Sequence, residues 1–296
     1  MSVTPAPRDA AQLRSRAEAL AETFPPLLAG AQHLAQSVLL GSHGRRRPGQ
    51  GDEFWQYRPV MTGDESRSID WRRSGRSDAH FVRQKEWQAA QSVMLWVDLS
   101  RSMAFASNRN VPEKRHRACE LALALAILLN HGGERVGLSD HDLPPRTGQL
   151  QLLRIAQALG AYGTEEYGAP NAREMPARSR AVFVSDYLGD IAALRDALTA
   201  AADRGVSGIV LQVLDPQEEA FPFDGRTIFE SMGGAVRHET LKAGDLRSRY
   251  LDRLAARKAE LADLARRTGW QYHVHHTDTA ATQALLWCYS ALERDH

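Results

Sequence analysis

Beyond residue 79 the chain alternates between short, almost continuous apolar runs and stretches whose apolar positions recur at helical spacing. Ser92 to Val97 (SVMLWV) is the plainest run, and an unbroken apolar strand needs both faces covered, as in a parallel sheet between helical layers. Strands are predicted on the same grounds at Ala79 to Lys85, Arg135 to Ser139, Arg180 to Val184, Ser207 to Val213 and Trp270 to His275. Helices are predicted at Pro112 to Asn130, stopped by His131-Gly132-Gly133, and at Leu150 to Leu159, Ile191 to Ala202, Leu246 to Arg267 and Thr279 to Leu292. This alternation predicts an α/β, doubly wound, mainly parallel sheet with helices on both faces.

Upstream the texture differs. Helical patterns cover Asp9 to Ala21 and, after the break at Pro25-Pro26, Leu27 to Leu40. From Gly41 to about Asp78 the chain is dense in Gly, Arg, Asp, Ser and Trp and has neither helical nor strand period. A stretch that long is functional or tightly ion-paired rather than an idle connection. Three parts are expected: N-terminal helices over 1–40, a Gly/Arg/Trp-rich segment over 41–90 packed on the core, and the α/β domain with its C-terminal helices over 91–296.

With 296 residues, 43% hydrophobic and 25% charged, the chain can bury a full core with an appendage. Lys plus Arg (37) against Asp plus Glu (36) leaves +1, so no global field marks a nucleic-acid or membrane-surface binder. Cys119 and Cys288 are too few for a Cys-rich zinc site or a disulfide framework, which points to a reducing, cytoplasmic setting. The first twenty residues lack the apolar core of a signal peptide. The longest apolar run, Leu121 to Leu129, falls short of the roughly 18 to 20 residues of a membrane span.

The candidate chemistry sits where strands end in acids. The run SVMLWV leads into Asp98-Leu99-Ser100-Arg101-Ser102, a carboxylate and two hydroxyls on one tight loop, which are hard oxygen donors suited to Mg²⁺, Mn²⁺ or Ca²⁺. Asp186, at the end of another strand, is the natural second carboxylate, and Thr164 in Gly163-Thr164-Glu165-Glu166 offers a third hydroxyl. The same residue types also serve as ordinary helix N-caps. The DxSxS pattern with a Thr and an Asp on further loops resembles the metal-ion-dependent adhesion site of von Willebrand factor A domains.

A second resemblance rests on Gly51-Asp52-Glu53-Phe54, Arg58-Pro59, Gly63-Asp64, Arg67, Ile69-Asp70-Trp71 and Arg76, with Asp215-Pro216 and Glu218 further on. This set is similar to the signature of the DUF58 family, the von Willebrand factor A-like proteins associated with MoxR-type AAA+ ATPases. The resemblance implies a von Willebrand factor A-like fold and a MoxR-like ATPase partner. It also implies a role in assembly, maturation or metal insertion of an unknown client complex. Read physically, Glu53, Asp64 and Asp70 interleave with Arg58, Arg67, Arg72, Arg73 and Arg76 around Trp55, Tyr57 and Trp71. That mixture makes either an ion-pair network lashing the segment to the sheet domain or a docking face. Arg45, Arg46 and Arg47 form a solvated cluster fit to contact an acidic surface or phosphate.

No GxSxG elbow, HExxH, Walker A or GxGxxG after a strand occurs, and the second Asp of a haloacid-dehalogenase phosphatase is replaced by Ser100. His273, His275 and His276 alternate along a strand and cannot all converge; His273 and His275 share one face. The expectation is therefore a non-enzymatic, metal-dependent interaction module. A metal-dependent phosphoesterase is the alternative, followed by a single-strand nucleic-acid binder built on the Arg45–Arg47 cluster with Trp55 and Trp71.

Overall fold

The computed structural model describes residues 25–41, 54–59, 81–85, 90–161, 163–171, 175–230, 234 and 237–293. The chain divides into two units, Gly41–Gln91 and the remainder. Helix α1 (Pro25–Gly41) belongs, up to Leu40, to the larger unit. The smaller unit pairs β1 (Phe54–Pro59) antiparallel with β2 (Phe81–Lys85), Arg58 lying opposite Val82. The β1 strand corrects the expectation that residues 41–78 lack strand structure: a register shift between Phe54 and Gln56 breaks the two-residue period that would have revealed it. Among the signature residues between Gly51 and Arg76 only Phe54, Arg58 and Pro59 are described; Glu53, Asp64, Arg67, Asp70, Trp71, Arg76 and the cluster Arg45, Arg46 and Arg47 lie outside the described residues, as does the predicted helix Asp9 to Ala21.

In the larger unit β3 (Ser92–Val97) leads through a short 3₁₀ turn, Arg101–Ala104, into α2 (Lys114–His131). The chain continues through β4 (Arg135–Leu138), β5 (Leu143–Arg146), α3 (Gln149–Leu159), β6 (Arg180–Ser185), α4 (Ala192–Asp203) and β7 (Ser207–Leu214). After the one-turn helix α5 (Pro216–Ala220) come β8 (Thr227–Glu230), β9 (Arg237–Thr240), α6 (Gly244–Arg267), β10 (Gln271–His276) and α7 (Ala281–Glu293). The main sheet has the order β10-β7-β6-β3-β4-β5, parallel except for β5.

Alternation along β3 sorts its side chains between two cores. Val93, Leu95 and Val97 join the core formed with α1, α2, α3 and α7, while Met94 and Trp96 join the core formed with α4 and α6. Both faces being covered explains why the strand reads as one apolar run. Helix α2 is buried along the whole of Leu121 to Leu129, so truncating a central residue such as Leu123 to Ala is worth roughly 2–5 kcal/mol. In α1, Ala31, Leu34, Ala35 and Val38 are the buried face, at the spacing of one helical stripe. Gly208 on β7 permits a close approach, because a Cβ there would lie 1.8 Å from the Ala181 carbonyl oxygen.

In the larger unit β5, α5, β8 and β9 were not expected from the sequence. The polar Ser139-Asp140-His141-Asp142 stretch is the turn of a β4–β5 hairpin, with Asp140 and Asp142 at positive φ (63° and 50°), a conformation Asp tolerates. Pro144 and Pro145 hide β5 from pattern reading, and their missing N–H groups are harmless only because β5 is the sheet's edge. The β8–β9 hairpin and α5 are too short to show a period. Among the described residues no helix is long and apolar enough to cross a membrane.

Candidate functional site

Strand β3 has β4 on one side and β6 on the other, so the chain leaves its carboxyl end in one direction and returns to pair on the opposite side. Such a switch point opens a crevice at the strand ends, where open α/β sheets bind ligands. Asp98 and Asp186 follow the two strands that border it.

Asp98 extends the ladder by donating its backbone N–H to the Val184 carbonyl at 2.9 Å. Its carboxylate is buried, accepting the Ser100 N–H at Oδ1 (2.9 Å) and the Ser185 hydroxyl at Oδ2 (2.7 Å). The first bond is the side-chain turn that Asp makes with the residue two further on, and it folds the loop so that the Ser100 and Ser102 hydroxyls lie 3.2 Å apart. Residues 163–171 are zipped onto this loop by backbone bonds: Gly163 N to Leu99 O (3.1 Å), Arg101 N to Glu165 O and Ser102 N to Glu166 O (both 2.9 Å). Gly168 lies against Asp98 so closely that a Cβ would sit 2.4 Å from Oδ1. Thr164 is exposed on that segment and lines, with Asp98 and Ser100, an open cavity of about 440 Å³.

Asp186 is equally buried. Its Oδ1 accepts the Leu188 N–H at 3.1 Å and its carbonyl accepts Gln212 Nε2 at 2.7 Å. Its Oδ2 accepts the ammonium of Lys114 at 2.8 Å, and Lys114 also donates to Glu218 Oε1 at 2.6 Å. Glu218 is held by the α5 capping box, in which Asp215 takes the Gln217 N–H (2.8 Å) and Glu218 Oε2 takes the Asp215 N–H (2.9 Å). Burial by itself disfavours the Lys114 charge, but the charges of Asp186 and Glu218 and the bonds they make outweigh it and hold the ammonium above its ordinary range. Burial pushes the Glu218 carboxyl up, against the opposing pull of Lys114.

Thus the structure brings Asp98, Ser100, Ser102 and Thr164 onto one pair of zipped loops. Asp186 stands next to them, and it shares with Asp98 the lining of a small space of about 20 Å³. Asp98, Asp186, Asp215 and Glu218 gather four carboxylates at this end of the sheet, whereas the buried residues supply one ammonium, Lys114, and Asp98 has no cationic partner among the described residues. A buried carboxylate is held by hydrogen bonds, by an ion pair or by a bound cation. The donors are oxygens from Asp, Ser and Thr; among the described residues no three His, Cys, Asp or Glu side chains converge on one point. His273 stacks on Trp287 with centroids 4.4 Å apart, His275 is buried on the same strand face, and His276 bonds to Glu219.

Sequence reasoning missed Lys114, Ser185 and Gly168, and took Glu218 only as part of a family pattern. A signal for Lys114 existed: it is the first residue of α2, where the helix dipole disfavours a cation and an acidic partner is therefore required.

Residues 56–260 match the family described as "Protein of unknown function DUF58". The chain belongs to the DUF58 family. Relatives of this DUF58 chain include the uncharacterized proteins Rv1480 of Mycobacterium tuberculosis and Mb1516 of Mycobacterium bovis. Each is 31% identical over 247 residues, covering 78% of this chain and 77% of the relative. Among solved structures, an aerotolerance-related membrane protein from Bacteroides fragilis aligns at 14% identity with a TM-score of 0.41, over 69% of this chain and all (100%) of that one. BatB from Bacteroides thetaiotaomicron aligns at 15% identity with a TM-score of 0.36, again over 69% of this chain and 100% of that one.

Proposed function

We propose that this DUF58 protein is a non-enzymatic, metal-dependent protein-interaction module of von Willebrand factor A-like design. In this reading it works in the cytoplasm as an adaptor of a MoxR-type AAA+ ATPase in the assembly or maturation of a client complex. The observation that carries the reading is Asp98: a buried carboxylate without a cationic partner among the described residues, beside two hydroxyls 3.2 Å apart at the switch point of the sheet. Asp98, Ser100 and Ser102, with Thr164 and Asp186 from the neighbouring loops, would hold a divalent cation, which supplies an electrophilic position for a carboxylate of another protein. The chain's own part is to fix those donors: Ser185 and the Ser100 N–H orient Asp98, and the segment zipped to the loop by backbone bonds places Thr164.

The same contacts argue against hydrolysis. A general base needs a free lone pair within reach of an attacking water. Lys114 offers none, because two carboxylates hold it as an ammonium.

Titration with Mn²⁺, followed by calorimetry or by the loss of its free electron-spin signal, tests the reading. One site is expected in the wild type, weakened at least tenfold, about 1.4 kcal/mol, in Asp98→Asn, which keeps the shape of the side chain and removes its charge. Equal affinity in the two proteins would remove the metal site. Hydrolysis of a generic phosphoester by wild type but not by Asp98→Asn would establish the enzyme reading instead.

A further inference from the structure

A cavity of about 660 Å³ opens beside the candidate metal loop, within the roughly 300–1,000 Å³ of small-ligand pockets. Ser102, Lys114, Asp186 and Glu218 line its polar end. Phe105, Tyr167 and Leu188 add to the wall from the loops around that end, and the far side is formed by the β8–β9 hairpin with the chain before it and the first half of α6. From the former come Phe221, Phe223 and Phe229, which pack on one another with ring centroids 5.2–5.6 Å apart, and Tyr250 of α6 closes on Phe221 at 4.8 Å. Tyr250 is part of a single helical stripe, Leu246, Arg249, Tyr250 and Arg253, that faces the cavity.

The stripe carries the informative charges. Arg249 and Arg253 are one turn apart, both exposed, and neither has an ion-pair partner among the described residues; Arg247 on the same helix has none either, whereas Arg257, Lys258, Arg266 and Arg267 pair with carboxylates. Like charges at this spacing repel, and the pair gains most from an incoming carboxylate. Glu166 and Glu230 reach the same rim from the zipped loop and the hairpin. An aromatic wall next to two guanidiniums without carboxylate partners is complementary to an apolar group with an acid beside it.

We propose that this cavity is the specificity pocket of the partner-binding end: it receives a large apolar side chain, aromatic or Leu/Met, of an acidic partner segment whose carboxylate pairs with Arg249 and Arg253. The proposal rests on reading the Asp98 loop as a partner-binding site and adds to it what the partner presents.

Selection of a phage-displayed random dodecapeptide library on the full-length chain tests it. The expected result is enrichment of peptides with Asp or Glu next to Phe, Tyr, Trp, Leu or Met. Synthetic copies of those peptides, followed by fluorescence anisotropy, should bind at least tenfold more weakly when the apolar residue is replaced by Ala. They should lose as much with the Arg249→Glu/Arg253→Glu protein, whose exposed substitutions leave the core alone, and with Leu246→Trp, which fills the cavity. No enrichment, or enriched peptides indifferent to the arginine variant, would overturn the pocket. EDTA separates the two claims: binding that survives EDTA but still needs the apolar residue and the arginines keeps the pocket and removes the metal, whereas EDTA-sensitive binding indifferent to both keeps the metal and removes the pocket.

Discussion

Lys114 Nζ lies 2.8 Å from Asp186 Oδ2, with both side chains buried. The pair joins the first residue of α2 to the end of β6, and Glu218 completes it from α5 at 2.6 Å. A buried ion pair adds little net stability over an apolar replacement, yet removing one partner strands the others.

Lys114→Met should therefore destabilise the chain by about 3 kcal/mol or more, measured by urea denaturation, because Asp186 and Glu218 remain buried without their cation. Lys114→Met combined with Glu218→Gln should recover part of the loss, since the two sites share one network. A loss below about 1 kcal/mol for the single change would mean that the triad is not what holds α2 to the strand ends.

Gly168→Ala is expected to disturb the site while sparing the fold. The added Cβ meets Asp98 Oδ1 at 2.4 Å, and that carboxylate is tethered at both oxygens, so the loop carrying Gly168 must move. Mn²⁺ affinity should fall at least tenfold with the far-ultraviolet circular dichroism unchanged, at a stability cost of roughly 1–3 kcal/mol. Unaltered affinity would place the cation away from Asp98.

His275 provides a pH signature. Burial, with lesser repulsion from Arg117, His276 and His273, lowers its imidazole from 6.5 to about 4; Thr279 Oγ1 lies 3.2 Å from Nδ1, and Nε2 has no hydrogen-bond partner among the described residues. A histidine depressed in this way is neutral when folded and takes up a proton on unfolding. Its contribution is complete above the ordinary value and is lost as the pH falls toward 4, by about 3 kcal/mol at most, since each pH unit is worth about 1.4 kcal/mol. Stability curves of wild type and His275→Gln should converge across that window; parallel curves would show that His275 charges without cost.

Cys119 and Cys288 are both buried and free, and burial pushes each thiol up to about 12. Neither should react with Ellman's reagent in the native chain at mildly alkaline pH, and both should react once guanidinium unfolds it. Prompt reaction of either thiol in the native chain would show that its part of the core opens readily.

What the sequence by itself determined is everything written in local periodicity. Strands β3, β6 and β7 read as apolar runs because helices cover both sheet faces, and Asp98 with Ser100 forms its turn through a bond only two residues long. The placement of Asp98 and Asp186 at strand ends followed from the same runs. Short elements were lost where the period was broken or too brief, at the bulged β1, the proline-bearing β5 and the four-residue strands β8 and β9. Only the tertiary structure decided which charges meet: Lys114 lies 72 residues from Asp186 and 104 from Glu218, and Gly168 lies against Asp98 from a separate loop. Hydrophobic burial is scored residue by residue along the chain and so leaves a pattern, whereas a buried charge is stabilised by distant partners whose identity no local period encodes.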